Sequence, residues 1–245
     1  MQNSLRMNGI HQVHSISERE HQPNNSYLNH ISTCFFRNKS IDAQKLKIKK
    51  GDSIFNNGDD HQHLYIIRVG FIKIENCLPN GQYQITQFGM SGDLLGLDGI
   101  ADGKHHLAAY ALNDGELYAI NVKILHAAMN MDHSLLMTIT QLLSSALNHS
   151  QQHIFSLSMH TAEKKLAYFL IDFRNSLNRL CMRTDTITLP MNREELRSYL
   201  GMTLETLSRC FTYLERKGYI LVRNRDITFL EPGRLEQFLE INPEK

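Results

Sequence analysis

The sequence predicts an α+β chain of two domains, a small antiparallel β-roll (jelly roll) followed by a helical part, and three observations predict it. Short β-branched and aromatic runs punctuated by glycine fill residues 39–121. A mostly apolar seam at alternating spacings of four and three runs from Leu136 to Leu157. Nearer the C-terminus two helical segments flank Gly201, and two strand-like runs follow them. The 245 residues suit two modest domains, each large enough to bury a core.

Residues 1–38 are polar, rich in Asn, His and Ser, and without periodicity, so a flexible N-terminal arm is expected there. In the β-roll, "HLYIIRVGFIKIENC" supplies strands on either side of Gly70. "LPNGQYQITQF" carries an Asn80-Gly81 hairpin turn, and "GELYAI" closes the series. Residues 122–157 read as one long dimerisation helix. Its seam is Leu136, Thr140, Leu143, Leu147, Ser150, Ile154 and Leu157, the pattern of a two-stranded coiled coil. The alternative is that this stripe packs on the chain's own β-domain. No acidic residue occupies a seam position, so like charges do not hold two copies apart.

Residues 158–245 complete the chain. "HTAEKKLAYFLIDFRNSL" is an amphipathic helix with Leu166, Phe169, Leu170 and Phe173 on one side. Asn192 with Glu195 three residues on has the form of a capping box. Gly201 then breaks the helix, and Thr203 can cap the next one. Past Gly218, "YILV" and "DITFL" flank Arg223-Asn224-Arg225 as two strands and a turn, a wing after the helix pair.

Composition narrows the function classes. Hydrophobic residues at 42% and charged residues at 21% are globular values, and no apolar run approaches the roughly 18 residues of a membrane span. The N-terminus lacks the basic-then-apolar order of a secretory signal, so a cytoplasmic protein with no membrane partner is expected. Net charge is only +1, so a polyanion site must come from local clustering. Residues 193–225 provide it: seven Arg and Lys against four Glu. The four cysteines, Cys34, Cys77, Cys181 and Cys210, form no C-x-x-C pair, which suits reduced thiols. No G-x-S-x-G, P-loop, H-E-x-x-H or dinucleotide fingerprint points to an enzyme.

At about 100° per residue the second helix sorts into two faces. Leu204, Leu207, Phe211 and Leu214 gather on one, and Glu205, Ser208, Arg209, Thr212 and Arg216 on the other. The second helix of a helix-turn-helix enters the major groove of double-stranded DNA. There Arg pairs with guanine O6 and N7, Glu accepts from cytosine N4, and Ser reaches base edges or phosphate. Glu205, Ser208 and Arg209 are the candidate base readers. Arg197, Thr203, Thr206, Arg216, Arg223 and Arg225 are candidate phosphate contacts, which position without specifying. Taken alone, Glu205 and Arg209 also fit an ordinary i,i+4 surface pair. The ordered series of capped helix, glycine turn, helix and basic wing favours reading DNA, and a homodimer on an inverted repeat accounts for the seam as well.

"QITQFGMSGDLLGLDGI" and "MNREELRSYLGMTLETLSR" carry a resemblance to the Crp/Fnr superfamily of bacterial transcription regulators, over residues 40–235 or so. The resemblance implies an N-terminal cyclic-nucleotide-binding-like β-roll, a long dimerisation helix and a C-terminal winged helix-turn-helix. It is nearest the fumarate and nitrate reduction branch, whose recognition helix has Glu, Ser and Arg at the spacing of Glu205, Ser208 and Arg209. By that resemblance a TTGAT-type inverted repeat is the expected site. Serine at 208 disfavours the TGTGA type, whose reader has arginine there. Activation through contact with RNA polymerase is the expected outcome.

The same resemblance frames the sensor. Gly92, Asp93 and Gly96 match the frame of a cyclic-nucleotide phosphate cassette. His106 and Leu107, however, stand where the cAMP-binding members place an arginine and a serine, and a buried phosphate needs that fork and hydroxyl. A 4Fe-4S cluster needs four thiolates, yet the arm has only Cys34, and Tyr118 stands at the position of the fourth ligand. Neither cAMP nor a 4Fe-4S cluster is therefore expected. Haem-dependent nitric oxide sensing stays open as an alternative. Histidines recur at 11, 14, 21, 30, 61, 63, 105, 106, 149 and 153, but no carboxylate or thiolate completes a site, and ordinary surface histidines are the simpler reading. Cys210, next to Arg209, reads as a small core residue in preference to a redox switch.

Overall fold

A computed structural model describes residues 11–15, 43–77, 81–159 and 161–240. The chain divides into two compact units, Met1–Leu143 and Ser144–Lys245.

The first unit is a two-sheet β-roll. Its strands are β1 (His11–Ser15), β2 (Ala43–Ile48), β3 (Ser53–Phe55), β4 (His63–Val69), β5 (Ile72–Cys77), β6 (Tyr83–Gly89), β7 (Leu94–Leu95), β8 (Ala108–Ala111) and β9 (Gly115–Asn121). One sheet runs β1-β2-β9-β4-β7 and the other β3-β8-β5-β6. Alternating side chains from the facing sheets build the core: Ile67, Ile72 and Leu117 are fully buried between them. The sequence marks β4, β5, β6 and β9. It leaves β2 unmarked, and it misses β3, β7 and β8, which are too short to show a period. The β5–β6 hairpin forms as expected, with Cys77 opposite Tyr83 and Gly81 at φ 81; Asn80 lies outside the described residues.

Most of the expected flexible arm also lies outside the described residues, but one piece of it departs from expectation. β1 pairs antiparallel with β2, Gln12 opposite Leu46, and extends the first sheet by one strand. Polar composition hid it, because an edge strand draws on backbone hydrogen bonds and needs no apolar face.

The expected single helix over 122–157 is two. Helix α1 (Val122–Met131) is capped by Asn121, whose side chain accepts from the Lys123 and Ile124 amides. It stops at Asp132, whose backbone is extended. The Asp132 carboxylate then caps α2 (His133–Met159), accepting from Ser134 N at 2.9 Å and Leu135 N at 3.4 Å. Leu135 and Ile139 of α2 are buried with Leu125 and Ala128 of α1 against Leu64, Ile66 and Ile120 of the first sheet.

In the second unit, α3 (Ala162–Arg179) starts at the Thr161 cap. It buries Leu166, Phe169, Leu170 and Phe173, the face its sequence marks. After it come β10 (Thr186–Thr188), α4 (Arg193–Leu200), α5 (Leu204–Arg216), β11 (Ile220–Arg223), β12 (Asp226–Phe229) and α6 (Pro232–Glu240). The wing has three strands, ordered β10-β12-β11, where the sequence shows two. β10 is three residues long, and its membership rests on pairing with β12, 40 or so residues on, Ile187 opposite Ile227.

Candidate nucleic-acid interface

The helix pair is built by three local devices. Asn192 Oδ1 accepts from the Glu195 amide at 2.8 Å, and Glu195 Oε2 accepts from the Asn192 amide at 2.8 Å, closing the capping box that opens α4. Gly201 ends α4 at φ 60, ψ 44, a conformation that costs a side-chain-bearing residue more. Thr203 Oγ1 then accepts from the Thr206 amide at 3.1 Å and opens α5. Each device is legible in the sequence.

Helix α5 buries Leu207, Cys210, Phe211 and Leu214 and exposes Glu205, Ser208, Arg209, Thr212 and Arg216. Leu204 corrects the expected core face. It is 39% exposed at the rim of the apolar arc, on the first residue of the helix, where no turn of the same helix precedes it. Glu205 Oε1 and Arg209 Nη2 meet at 3.0 Å, with side chains 79% and 71% exposed. A pair this exposed contributes little to stability. Both heads are solvent-accessible and can turn to a groove.

The flanking residues frame the trio. Thr203 and Thr206 hydroxyls lie 2.9 Å apart at the start of α5, and Arg197 pairs with Glu194 on α4. Arg216 is exposed at the far end of α5. Arg223 and Arg225 are exposed on the wing, where Arg225 Nη1 donates to Pro190 O at 3.2 Å across the base of the β12 turn. Asn224 takes φ 57, so the chain reverses within two residues and holds both arginines at the tip. Glu215 at the end of α5 accepts from the Val222 amide at 2.9 Å, which fixes the wing to α5.

One member of the basic cluster is withdrawn from the surface. Arg193 lies with its guanidinium carbon 3.6 Å from the Phe211 ring centroid, and its Nη2 points at Asn224 O, 3.5 Å away. Burial pushes its pKa down, and Glu215 partly offsets this. In sequence Arg193 is one of the seven basic residues of 193–225, and ring stacking across helices leaves no local signal that sets it apart. Cys210 is 1% exposed, and burial pushes its thiol up to about 11. It packs in the core as the sequence suggests.

The seam residues of α2 are open in the protomer: Leu136, Thr140, Leu143, Leu147, Ser150 and Ile154 are all exposed, and Leu157 is half-buried. Leu147 and Ile154 reach 59% and 62%. A different stripe of α2, Leu135, Ile139 and Leu142, packs on the β-roll. Thr140 and Ser150 donate to the carbonyls of Leu136 and Ala146 within the same helix, so neither hydroxyl needs water.

In the β-roll, Gly92 and Gly96 take positive φ and Asp93 Oδ2 accepts from the Met90 amide, so the cassette frame is a set of turns. The His106 side chain is exposed and pairs with Asp102 at 2.8 Å, while Leu107 packs against the apolar core. Tyr118 is buried among Leu64, Ile66 and Ile120. His105 stacks on Phe55 at 3.9 Å with His61 edge-on at 5.0 Å, and in the second unit His149 faces Asp172 while His153 stacks on Tyr199 at 4.1 Å. Among the described residues no group of three or more His, Cys, Asp or Glu is arranged to hold a metal ion.

Two family models match the chain: a cyclic nucleotide-binding domain over residues 45–132 and a Crp-like helix-turn-helix domain over residues 164–238. The nitrogen fixation regulation protein FixK of Bradyrhizobium diazoefficiens is 31% identical over 79% of this chain and 81% of its own length. The fumarate and nitrate reduction regulatory protein of Escherichia coli is 31% identical over 81% of this chain and 79% of its own. Among solved structures, FixK2 from Bradyrhizobium japonicum superposes with a TM-score of 0.73 at 26% identity, covering 80% of this chain and 96% of that one.

Proposed function

The chain belongs to the Crp/Fnr family of DNA-binding transcription regulators, and from that premise we propose that it works as a homodimer whose Glu205, Ser208 and Arg209 read the two halves of a TTGAT-type inverted repeat. The observation that carries the reading is the arc on α5. Three side chains able to address base edges stand exposed near the N-terminal end of a helix whose opposite face is sealed by Leu207, Cys210, Phe211 and Leu214. Arg197, Thr203, Thr206 and Arg216 surround that arc, and Arg223 and Arg225 extend it along the wing, the placement expected of phosphate contacts. The open seam on α2 supports a second copy, which a two-fold repeat requires.

The regulator acts without cAMP and without a 4Fe-4S cluster. The donor sets support this. The Leu107 side chain has no donor for a phosphate, and the His106 side chain pairs outward with Asp102. Of the described cysteines, Cys210 is sealed in the helix-turn-helix core, Cys77 sits on β5 bonded to Glu75, and Cys181 is exposed after α3. The position of the fourth cluster ligand is a buried tyrosine. His105 and His153, each stacked on an aromatic ring, favour packing over haem ligation. Activation through contact with RNA polymerase completes the reading, with no enzymatic step and no membrane partner; among the described residues no helix is long and apolar enough to cross a membrane.

A gel shift of aerobically purified, metal-free protein on a TTGATNNNNATCAA duplex, with a TGTGA palindrome as control, tests this. Tight binding to the first without additions is expected. Equal affinity for both, or binding only after an effector is added, contradicts it.

A further inference from the structure

The cassette loop of the β-roll already holds an anion, and it is the protein's own. Asp98, in the short helical turn Leu97–Gly99, directs Oδ2 at two consecutive backbone amides, His106 N at 2.7 Å and Leu107 N at 3.0 Å. Its Oδ1 lies 3.3 Å from His105 Nδ1. A carboxylate bound by two adjacent N–H groups and an imidazole is the arrangement by which proteins hold phosphate or carboxylate ligands.

The surroundings are shaped to keep it there. The His105 ring is 2% exposed, stacked on Phe55, with His61 against its edge. Gly96, at φ +90, comes close enough that a Cβ would sit 3.3 Å from His105 Cε1. At Gly99 a Cβ would stand 2.5 Å from the His61 ring, so any larger residue there displaces that ring. Burial works to raise the Asp98 pKa, but the His105 contact and the two amides outweigh it, and the carboxyl titrates below the ordinary aspartate range.

We propose that the Asp98 carboxylate is a built-in ligand, filling the anion cradle formed by the His106 and Leu107 amides and the His105 ring so that the cassette is held closed without any added phosphate. The loop it grips runs directly into β8, which pairs with both β3 and β5, so the anion fastens the cassette to the second sheet. An outside phosphate competes against a carboxylate tethered eight residues away at high effective concentration, and it loses. This goes beyond the DNA-reading assignment and does not depend on it.

The test uses the full chain with 15N-labelled histidine and leucine, following the amide signals of His106 and Leu107, their hydrogen exchange and the melting temperature. In the native protein both amides are expected to exchange slowly and to ignore sodium formate, inorganic phosphate and 3′,5′-cyclic AMP. In Asp98→Ala both signals should move, exchange should speed up and Tm should fall. Formate or phosphate should then restore them, while chloride at equal ionic strength should not. An Asp98→Ala protein whose two amides are unchanged, or whose losses no anion reverses, overturns the proposal. If that variant does not fold, Asp98→Asn keeps the acceptor and removes the charge. Faster exchange at both amides supports the proposal, and native-like exchange and Tm overturn it. A failed gel shift would leave every one of these readouts in place.

Discussion

Arg193 on α4 stacks its guanidinium 3.6 Å from the ring centroid of Phe211 on α5, so the first helix of the pair grips the second by a cation over an aromatic face. The same side chain points at the carbonyl of Asn224 in the wing turn. One residue therefore touches both helices of the pair and the wing. Removing it with Arg193→Ala should cost roughly 0.5–2 kcal/mol of stability. Arg193→Lys should recover only part, since an ammonium cannot lie flat on the ring. Urea unfolding midpoints of the three proteins check this, and equal midpoints would contradict it.

Arg209→Ala should weaken binding to a cognate half-site by about 1–3 kcal/mol and flatten the preference at the contacted guanine. Its bridge to Glu205 is too exposed to matter for folding, so the melting temperature should hold. Competition with base-substituted duplexes reads the preference. Equal loss on specific and random DNA would make Arg209 a phosphate contact instead.

Wing substitutions should behave differently. Arg223→Ala or Arg225→Ala should weaken binding to all sequences alike and shallow the slope of log K against log salt by about one per residue. Affinity measured across a salt series decides, and an unchanged slope removes that residue from the phosphate set. Arg225 also anchors to Pro190 O, so Arg225→Lys, which keeps charge and loses the fork, separates the two roles.

In the proposed dimer, Leu147→Glu should separate the two copies while leaving each chain folded, because Leu147 is 59% exposed. Sedimentation with far-ultraviolet circular dichroism reads both quantities. A Leu147→Glu protein that still sediments as a dimer places the interface elsewhere.

His153 gives a pH dependence with a definite sign. Burial against Tyr199, and secondarily the neighbouring His149, lower its pKa from 6.5 to about 4. The folded state therefore binds this proton less readily than the unfolded chain. The stability that neutral His153 contributes is complete above pH 6.5 and is lost as pH falls from there towards 4, by up to roughly 3 kcal/mol. The partial exposure of the site trims that figure. His153→Phe keeps the ring stack and removes the proton, so it should flatten the unfolding profile across this window. A profile as steep as the native one would assign the acid sensitivity to other groups.

Local signals in the sequence predict the reading head well. The Asn192–Glu195 box, Gly201 and the Thr203 cap each act within four residues, and the 3.6-residue period sorts α5 into its two faces. What escapes is non-local or marginal. β10 exists only because β12 offers it a ladder, β1 is an edge strand without an apolar face, and Leu204 fits the period yet is 39% exposed at the start of its helix. Asp132 is a related miss: its capping side chain divides residues 122–157, expected as one helix, ahead of the seam that begins at Leu136.

The sequence alone determines the order of the β-roll and the helix-turn-helix and the identity of the exposed trio, because caps, turns and periodicities are short-range properties of the chain. Tertiary structure alone decides which charges face solvent and which are bound inside. Arg193 and Arg209 are the same residue type on adjacent helices, yet one lies against Phe211 and the other stands in water. Asp98 reads as one more loop aspartate until folding brings the amides of His106 and Leu107 to its carboxylate. The physical reason is common to both. A charge settles where desolvation is repaid by a partner, and the partner is supplied by the fold, at a separation in sequence that no local pattern records.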